Sequence, residues 1–171
     1  YGSADIQAEL ANDVVVYAQS DKRKLRALYY NNDEDIYRST KLNTGNDEIL
    51  NSTVKEMFLQ KQPYQIIWCI LEDGNMASLT YEREEEVTGW SLMSTTDGKF
   101  ISGCSVPGVS EDFVWVCVER NGKYLIEQFQ PKQNLDWYVD SGVKINSGEA
   151  ANASLDVEDS KVKITKTNHN M

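Results

Sequence analysis

The pattern of hydrophobic and polar residues along the chain predicts short β-strands. Residues 113–119 form a continuous apolar run that is rich in β-branched and aromatic side chains, as in a buried strand. Residues 124–129 follow an Asn-Gly pair, which is a hairpin signal. Similar runs lie at residues 14–19, 76–81 and 87–93. The pattern therefore predicts an all-β protein made of antiparallel hairpins.

A repeat with a period of 47 residues links these runs. The chain has four tryptophans, and two pairs have this spacing: Trp68 with Trp115, and Trp90 with Trp137. The apolar strand around each tryptophan repeats with it. A fixed period of this size is typical of stacked or radial repeat architectures. A tryptophan at the same place in each copy is interpreted as a packing residue between sheets.

The repeat predicts three copies, at about residues 1–46, 47–93 and 94–140, each with four short strands. The first copy is fainter and has a spacing of 51 residues to the second. Such four-stranded units resemble the blades of a β-propeller. The residues predicted to form the equivalent core positions are Tyr17, Trp68, Leu79, Tyr81, Trp90, Trp115, Ile126 and Trp137.

Residues 47–60 carry two conflicting signals. Ile49, Leu50, Val54, Met57 and Phe58 form a helical stripe, whereas the repeat aligns residues 54–59 with a strand. We interpret the segment as one short helix near 47–51 followed by a strand near 54–60. Residues 1–146 are expected to form one propeller-like domain. Residues 147–171 are expected to form a linker and a short hairpin, or the edge of an adjoining domain.

Composition excludes several classes of function. The net charge is −10, which argues against a tightly held nucleic acid but allows a surface that DNA slides past. The single histidine, His169, lies in a polar tail, and the sequence has no phosphate-binding loop motif. We therefore expect no histidine-based catalytic triad, no metal site and no cofactor. No apolar stretch is long enough for a membrane anchor.

Two groups of side chains leave alternatives open. The acidic runs at residues 33–35 and 84–86 are interpreted as solvated turns, although paired carboxylates are also the machinery of glycoside hydrolysis. Cys69, Cys104 and Cys117 are expected to be buried free thiols. A disulfide between Cys104 and Cys117 on adjacent strands is the alternative.

One string of residues is more specific than the others, and it runs from Leu79-Thr80-Tyr81 through Arg83-Glu84 to Gly89-Trp90. With several other segments, it resembles the tail nozzle proteins of short-tailed bacteriophages, also called tail tubular or packaged-DNA stabilisation proteins. The resemblance covers about residues 1–145. Members of this family often have a histidine after the Gly-Trp pair, where this chain has Ser91, which indicates a distant relative. Family members are also longer, so we expect a fragment or an abbreviated form. The other similar segments are residues 1–3, 14–19, 24–30, 62–63, 67–76, 114–127 and 138–142.

The resemblance implies a structural role and no enzyme activity. It implies a homo-oligomer, a hexamer in the family, that contacts the tail adaptor and other tail proteins in the virion tail after assembly in the bacterial host cytoplasm. DNA would pass through the tube without specific binding. The first alternative is a propeller-type binding module for glycan or protein. The second is a glycoside hydrolase-like propeller.

Overall fold

The fold is all-β, as the sequence predicts. The computed structural model describes residues 2–129, 153–158 and 161–166. The chain divides into two compact units, Tyr1–Tyr138 and Val139–Met171. The predicted boundary at residue 146 lies outside the described residues. In the second unit, β12 (Ala153–Glu158) and β13 (Lys161–Lys166) pair as an antiparallel hairpin.

The first unit contains three antiparallel sheets of four, four and three described strands. They are separate, and they do not close into a ring within the described part of the chain. Sheet 1 consists of β1 (Glu9–Ala11), β2 (Val14–Ala18), β3 (Leu25–Asn31) and β4 (Ile36–Lys41). Sheet 2 consists of β5 (Val54–Gln60), β6 (Ile66–Leu71), β7 (Met76–Glu82) and β8 (Val87–Met93). Sheet 3 consists of β9 (Gly98–Val106), β10 (Phe113–Arg120) and β11 (Lys123–Gln128).

The interpretation of residues 47–60 is confirmed. A short 3₁₀ helix spans Asp47–Leu50, and β5 follows it. The helical stripe in the sequence arises because sheet 2 is covered on both faces. Met57 packs towards sheet 1 and its neighbour Phe58 towards sheet 3, so two consecutive apolar residues are both buried. A strand covered on both sides loses the simple alternation of apolar and polar residues.

Two hydrophobic cores join the three sheets in series. We call the core between sheets 1 and 2 the first core, and the core between sheets 2 and 3 the second core. In the first core Val14, Val16, Ala18, Leu25 and Ala27 of sheet 1 face Val54, Met57, Ile67, Cys69, Leu71, Ala77, Leu79 and Tyr81 of sheet 2. In the second core Phe58, Trp68, Ile70 and Met76 of sheet 2 face Phe100, Val114, Val116 and Val118 of sheet 3.

The same backbone hydrogen bond connects each sheet to the next. The N–H of Val54 in sheet 2 donates to the carbonyl of Lys22, in the turn between β2 and β3, at 2.8 Å. The N–H of Phe100 in sheet 3 donates to the carbonyl of Gly74, in the turn between β6 and β7, at 2.8 Å. Lys22 and Gly74 both have positive φ, 55° and 89°. The two junctions therefore repeat in backbone geometry as well as in apolar packing.

Gly103 permits the close approach of sheets 2 and 3. A Cβ atom on Gly103 would lie 2.5 Å from the ring of Phe58. Gly103 pairs with Val116 on β10, and Met57 pairs with Cys69, the residue one repeat earlier, so Gly103 occupies the position of Met57. The absent side chain leaves room for the Phe58 ring from the neighbouring sheet.

Candidate functional site: the faces between sheets

Trp68 lies in the second core and is 7% exposed. Its ring stacks with Phe58 at a centroid distance of 6.4 Å and meets Phe129 edge-on at 5.4 Å. Its indole N–H donates to the side-chain oxygen of Gln60 at 3.1 Å. With its ring enclosed and its N–H bonded, Trp68 has the environment of a packing residue rather than of a ligand platform.

Trp115 occupies the equivalent position on sheet 3. It pairs with Cys104 on β9, as Trp68 pairs with Phe58 on β5. Its neighbours Val114 and Val116 are buried in the second core, so alternation along the strand directs Trp115 to the opposite face. Trp115 is half-buried. The face that carries it is the counterpart of the face by which sheet 2 contacts sheet 3.

The predicted core position of Ile126 is wrong, because Ile126 is 69% exposed. The equivalence of Leu79 with Ile126 also fails. Leu79 pairs with Ile67, whereas Ile126 pairs with Cys117. Strands β10 and β11 stay paired as far as Arg120 and Lys123, so their hairpin is three residues longer than the β6–β7 hairpin. The pairing is therefore shifted by three residues. An odd shift moves a side chain to the opposite face of a strand.

Phe129 is the structural counterpart of Leu79. Its N–H donates to the carbonyl of Val114 at 2.9 Å. Val114 is the counterpart of Ile67, which is the residue that pairs with Leu79. Its ring packs on the second core. The sequence grid missed Phe129 because a constant period assumes hairpins of constant length. The Asn-Gly pair indicates a two-residue turn centred on Asn121 and Gly122, which fixes the pairing of the flanking residues and could have revealed the shift.

The predicted alignment of Tyr17 with Trp68 is wrong by one residue. Val15 pairs with Leu28, as Ile67 pairs with Leu79, so Val16 is the counterpart of Trp68. Val16 is buried in the first core, whereas Tyr17 points to the other face of sheet 1. Tyr17 is half-buried there, and its hydroxyl hydrogen-bonds with Ser39 Oγ at 2.9 Å.

The other predicted core residues lie at or near the first core. Leu79 and Tyr81 are buried in it. Trp90 is half-buried, packs against the same core and donates its indole N–H to the carbonyl of Leu42 at 3.1 Å. Trp137 lies outside the described residues. The side chains of Leu79, Tyr81 and Trp90 therefore all pack at the junction of sheets 1 and 2.

Arg83 strengthens this junction from the β7–β8 turn. Its guanidinium donates to the carboxylate of Asp13 at 2.7 Å and lies 4.0 Å from the centre of the Tyr29 ring. Both partners belong to the region of sheet 1. Because the side chains of Arg83 and Asp13 are 37% and 62% exposed, the ion pair contributes at most about 1 kcal/mol.

The described residues contain no cluster of His, Cys, Asp and Glu side chains that could hold a metal ion. The acidic runs 33–35 and 84–86 lie in exposed turns, after β3 and after β7. An open cavity of about 670 Å³ is lined in part by Asp21, Lys24, Lys41 and Asp47. Lys24 pairs with Asp21, and Lys41 with Asp47. His169 lies outside the described residues.

The three cysteines are free thiols in unlike environments. Cys69 is buried in the first core, and burial raises the pKa of its thiol to about 12. Cys117 is half-buried and Cys104 is exposed, so the prediction of buried thiols is wrong for Cys104. Cys104 pairs with Trp115 rather than with Cys117. Both of these thiols lie on the same outward face of sheet 3, together with Trp115.

Comparison of the sequence with protein-family models and with curated proteins gives no match in either case. Within the described ranges, the structure contains no helix with the length and hydrophobicity required to cross a membrane.

Proposed function

We propose that this chain is a structural subunit of a phage tail nozzle, part of a tube through which DNA passes. The observation that supports this proposal is the location of the residues that resemble the nozzle family. Leu79, Tyr81, Arg83 and Trp90 all contact the first core or the sheet 1 region beside it. The resemblance therefore rests on residues that hold sheets together, which suits an architectural role.

We further propose that the sheets are blades of a propeller-like arrangement. Strand β5, the first strand of sheet 2, contacts β1 of sheet 1 and β9 of sheet 3. First strands that adjoin one another in this way would surround the axis of a radial array. The repeated hydrogen bonds of Val54 and Phe100 support a constant relation between neighbouring sheets.

The acidic character of the chain suits a DNA conduit. A net charge of −10 repels phosphate, so DNA would move along such a wall without being held. Trp90, which a glycan-binding module would use, packs on the first core and bonds to Leu42, so its position favours the structural proposal.

A genetic complementation assay tests this function. The gene is deleted in the phage or prophage that encodes it, and the particles are imaged and titred. The expected result is heads without complete tails and a loss of infectivity, restored by the wild-type gene in trans. Restoration should fail with Leu79→Asp, which places a charge in the first core, and succeed with the matched variant Leu92→Asp, because Leu92 is exposed on β8. Normal tails and full infectivity after deletion would refute the proposal.

A further inference from the structure

The outward face of sheet 3 repeats the face by which sheet 2 binds its neighbour, position by position. We call it the sheet 3 end face. Strand pairing makes Cys104, Trp115, Cys117 and Ile126 the counterparts of Phe58, Trp68, Ile70 and Met76. The sheet 2 residues are all buried in the second core. Met76 is 0% exposed, whereas Ile126 is 69% exposed.

A positive-φ turn between the second and third strands is repeated as well. Lys22 and Gly74, which accept the inter-sheet hydrogen bonds, are positive-φ residues in the turn between the second and third strands. In sheet 3 the corresponding turn is Asn121-Gly122, with φ values of 51° and 73°. Sheet 3 therefore has the equivalent apolar face and a positive-φ turn between its second and third strands, although its hairpin is three residues longer.

The outward face of sheet 1 is the complementary surface, which we call the sheet 1 end face. Val15 occupies the position of Ile67 and Val114, and Leu28 occupies that of Leu79 and Phe129. In sheets 2 and 3 these positions face the preceding sheet. On sheet 1 they face outward: Val15 is 36% exposed and Leu28 is half-buried.

We propose that the sheet 3 end face binds the sheet 1 end face of a second copy of this chain. The interaction would repeat an interface that the chain already makes twice internally, at the first and the second core. A head-to-tail contact of this kind can close on itself. Two copies with three sheets each would give six sheets in a ring, within the range of about four to eight blades in known propellers. The inference rests on the contacts between sheets and is independent of a role in a phage tail.

Sedimentation velocity of the full 171-residue chain over a range of concentrations tests the interface. The wild type is expected to reach twice its monomer mass of 19.4 kDa. Ile126→Asp on the sheet 3 end face and Val15→Lys on the sheet 1 end face should each raise the dissociation constant by about tenfold or more. Val109→Asp, at a fully exposed loop position, is the matched control and should leave it unchanged. Circular dichroism verifies that each variant is folded.

Mixing the two variants distinguishes end-to-end binding from symmetric binding. Each variant alone has a damaged residue in every end-to-end contact, but a mixed dimer contains one contact with both Val15 and Ile126 intact. Mixing should therefore restore association. If Ile126→Asp dissociates while Val15→Lys remains dimeric, two sheet 3 end faces bind each other, and the proposal is overturned.

The cysteines give a readout that needs no variant. Cys104 and Cys117 lie on the sheet 3 end face, so their reaction with a thiol reagent should slow as the protein concentration rises, in parallel with dimer formation. A wild type that stays monomeric at high concentration, with labelling rates independent of concentration, overturns the proposal.

Discussion

Met76 and Ile126 hold equivalent positions on successive sheets, yet truncating them to alanine should have very different costs. Met76 is fully buried between sheets 2 and 3, whereas Ile126 is 69% exposed. Truncation of a buried methionine loses its transfer free energy and leaves a cavity, which together cost about 3 kcal/mol. Truncation of a mostly exposed isoleucine costs about 0.5 kcal/mol or less. The expected difference in unfolding free energy is about 2.5 kcal/mol.

Urea unfolding followed by circular dichroism measures this difference. The two variants are compared with wild type at the lowest workable protein concentration, so that any association of the end faces does not contribute. The slope of the unfolding free energy against urea should not change, because neither variant alters the surface exposed on unfolding. Equal losses for Met76→Ala and Ile126→Ala would contradict this prediction, since they would mean that both faces are equally covered.

Three further predictions follow from the cores. Gly103→Ala should cost about 1–3 kcal/mol, because the new methyl group meets the Phe58 ring, and Phe58→Leu in the same chain should recover part of the loss in a double-mutant cycle. Phe129→Ala should cost about 2 kcal/mol more than Ile126→Ala in urea unfolding, because Phe129 packs against Trp68; equal costs would contradict the revised alignment. The pKa of Cys69 is raised from 9.0 to about 12, so the unfolded chain loses this proton first as the pH rises. The stabilisation due to the protonated thiol should be full below pH 9, and the free energy of unfolding should fall towards pH 12 by up to about 1.4 kcal/mol per pH unit. Urea unfolding at several pH values measures this fall, which should be smaller for Cys69→Ala. An equal fall in both proteins would contradict the burial of the thiol.

Much of the fold could be predicted because strands leave a local signature. The apolar runs of β6 and β10 can be recognised in short segments of sequence, and the tryptophans give the spacing between these two strands. The strand at Val54–Gln60 was harder, because burial on both faces imitates a helical stripe. The repeat resolved that ambiguity, because it compares one strand with another rather than with a general template.

The facing of individual side chains was less predictable, because it depends on turn length. A single period of 47 residues aligns β6 with β10 correctly, as shown by Trp68 and Trp115. The same period misplaces Ile126, since the β10–β11 hairpin is three residues longer than the β6–β7 hairpin between equivalent pairs. Tyr17 was misplaced by a single residue for the same reason. A strand alternates its faces at every residue, so any odd change in a turn exchanges the buried side for the exposed side.

The candidate site could be predicted only in outline. The sequence indicated that aromatic residues pack between sheets, and Trp68 does so. It did not distinguish a covered face from an uncovered one, because Trp68 and Trp115 look alike in sequence. Whether a face is covered depends on which sheet comes next in space, and no local window of residues contains that information. The prediction that Cys104 is buried was wrong for the same reason, because Cys104 lies on an exposed face.

Residue-resolved hydrogen exchange of the Val54 and Phe100 amides tests whether each sheet is joined to the next by the same backbone hydrogen bond. Both N–H groups are bonded to a turn carbonyl of the preceding sheet at 2.8 Å. Both amides are expected to exchange slowly, with protection similar to that of amides inside the buried strands β6 and β10. Exchange of either amide at the rate of an exposed turn would contradict the claim that each sheet is joined to the next in the same way.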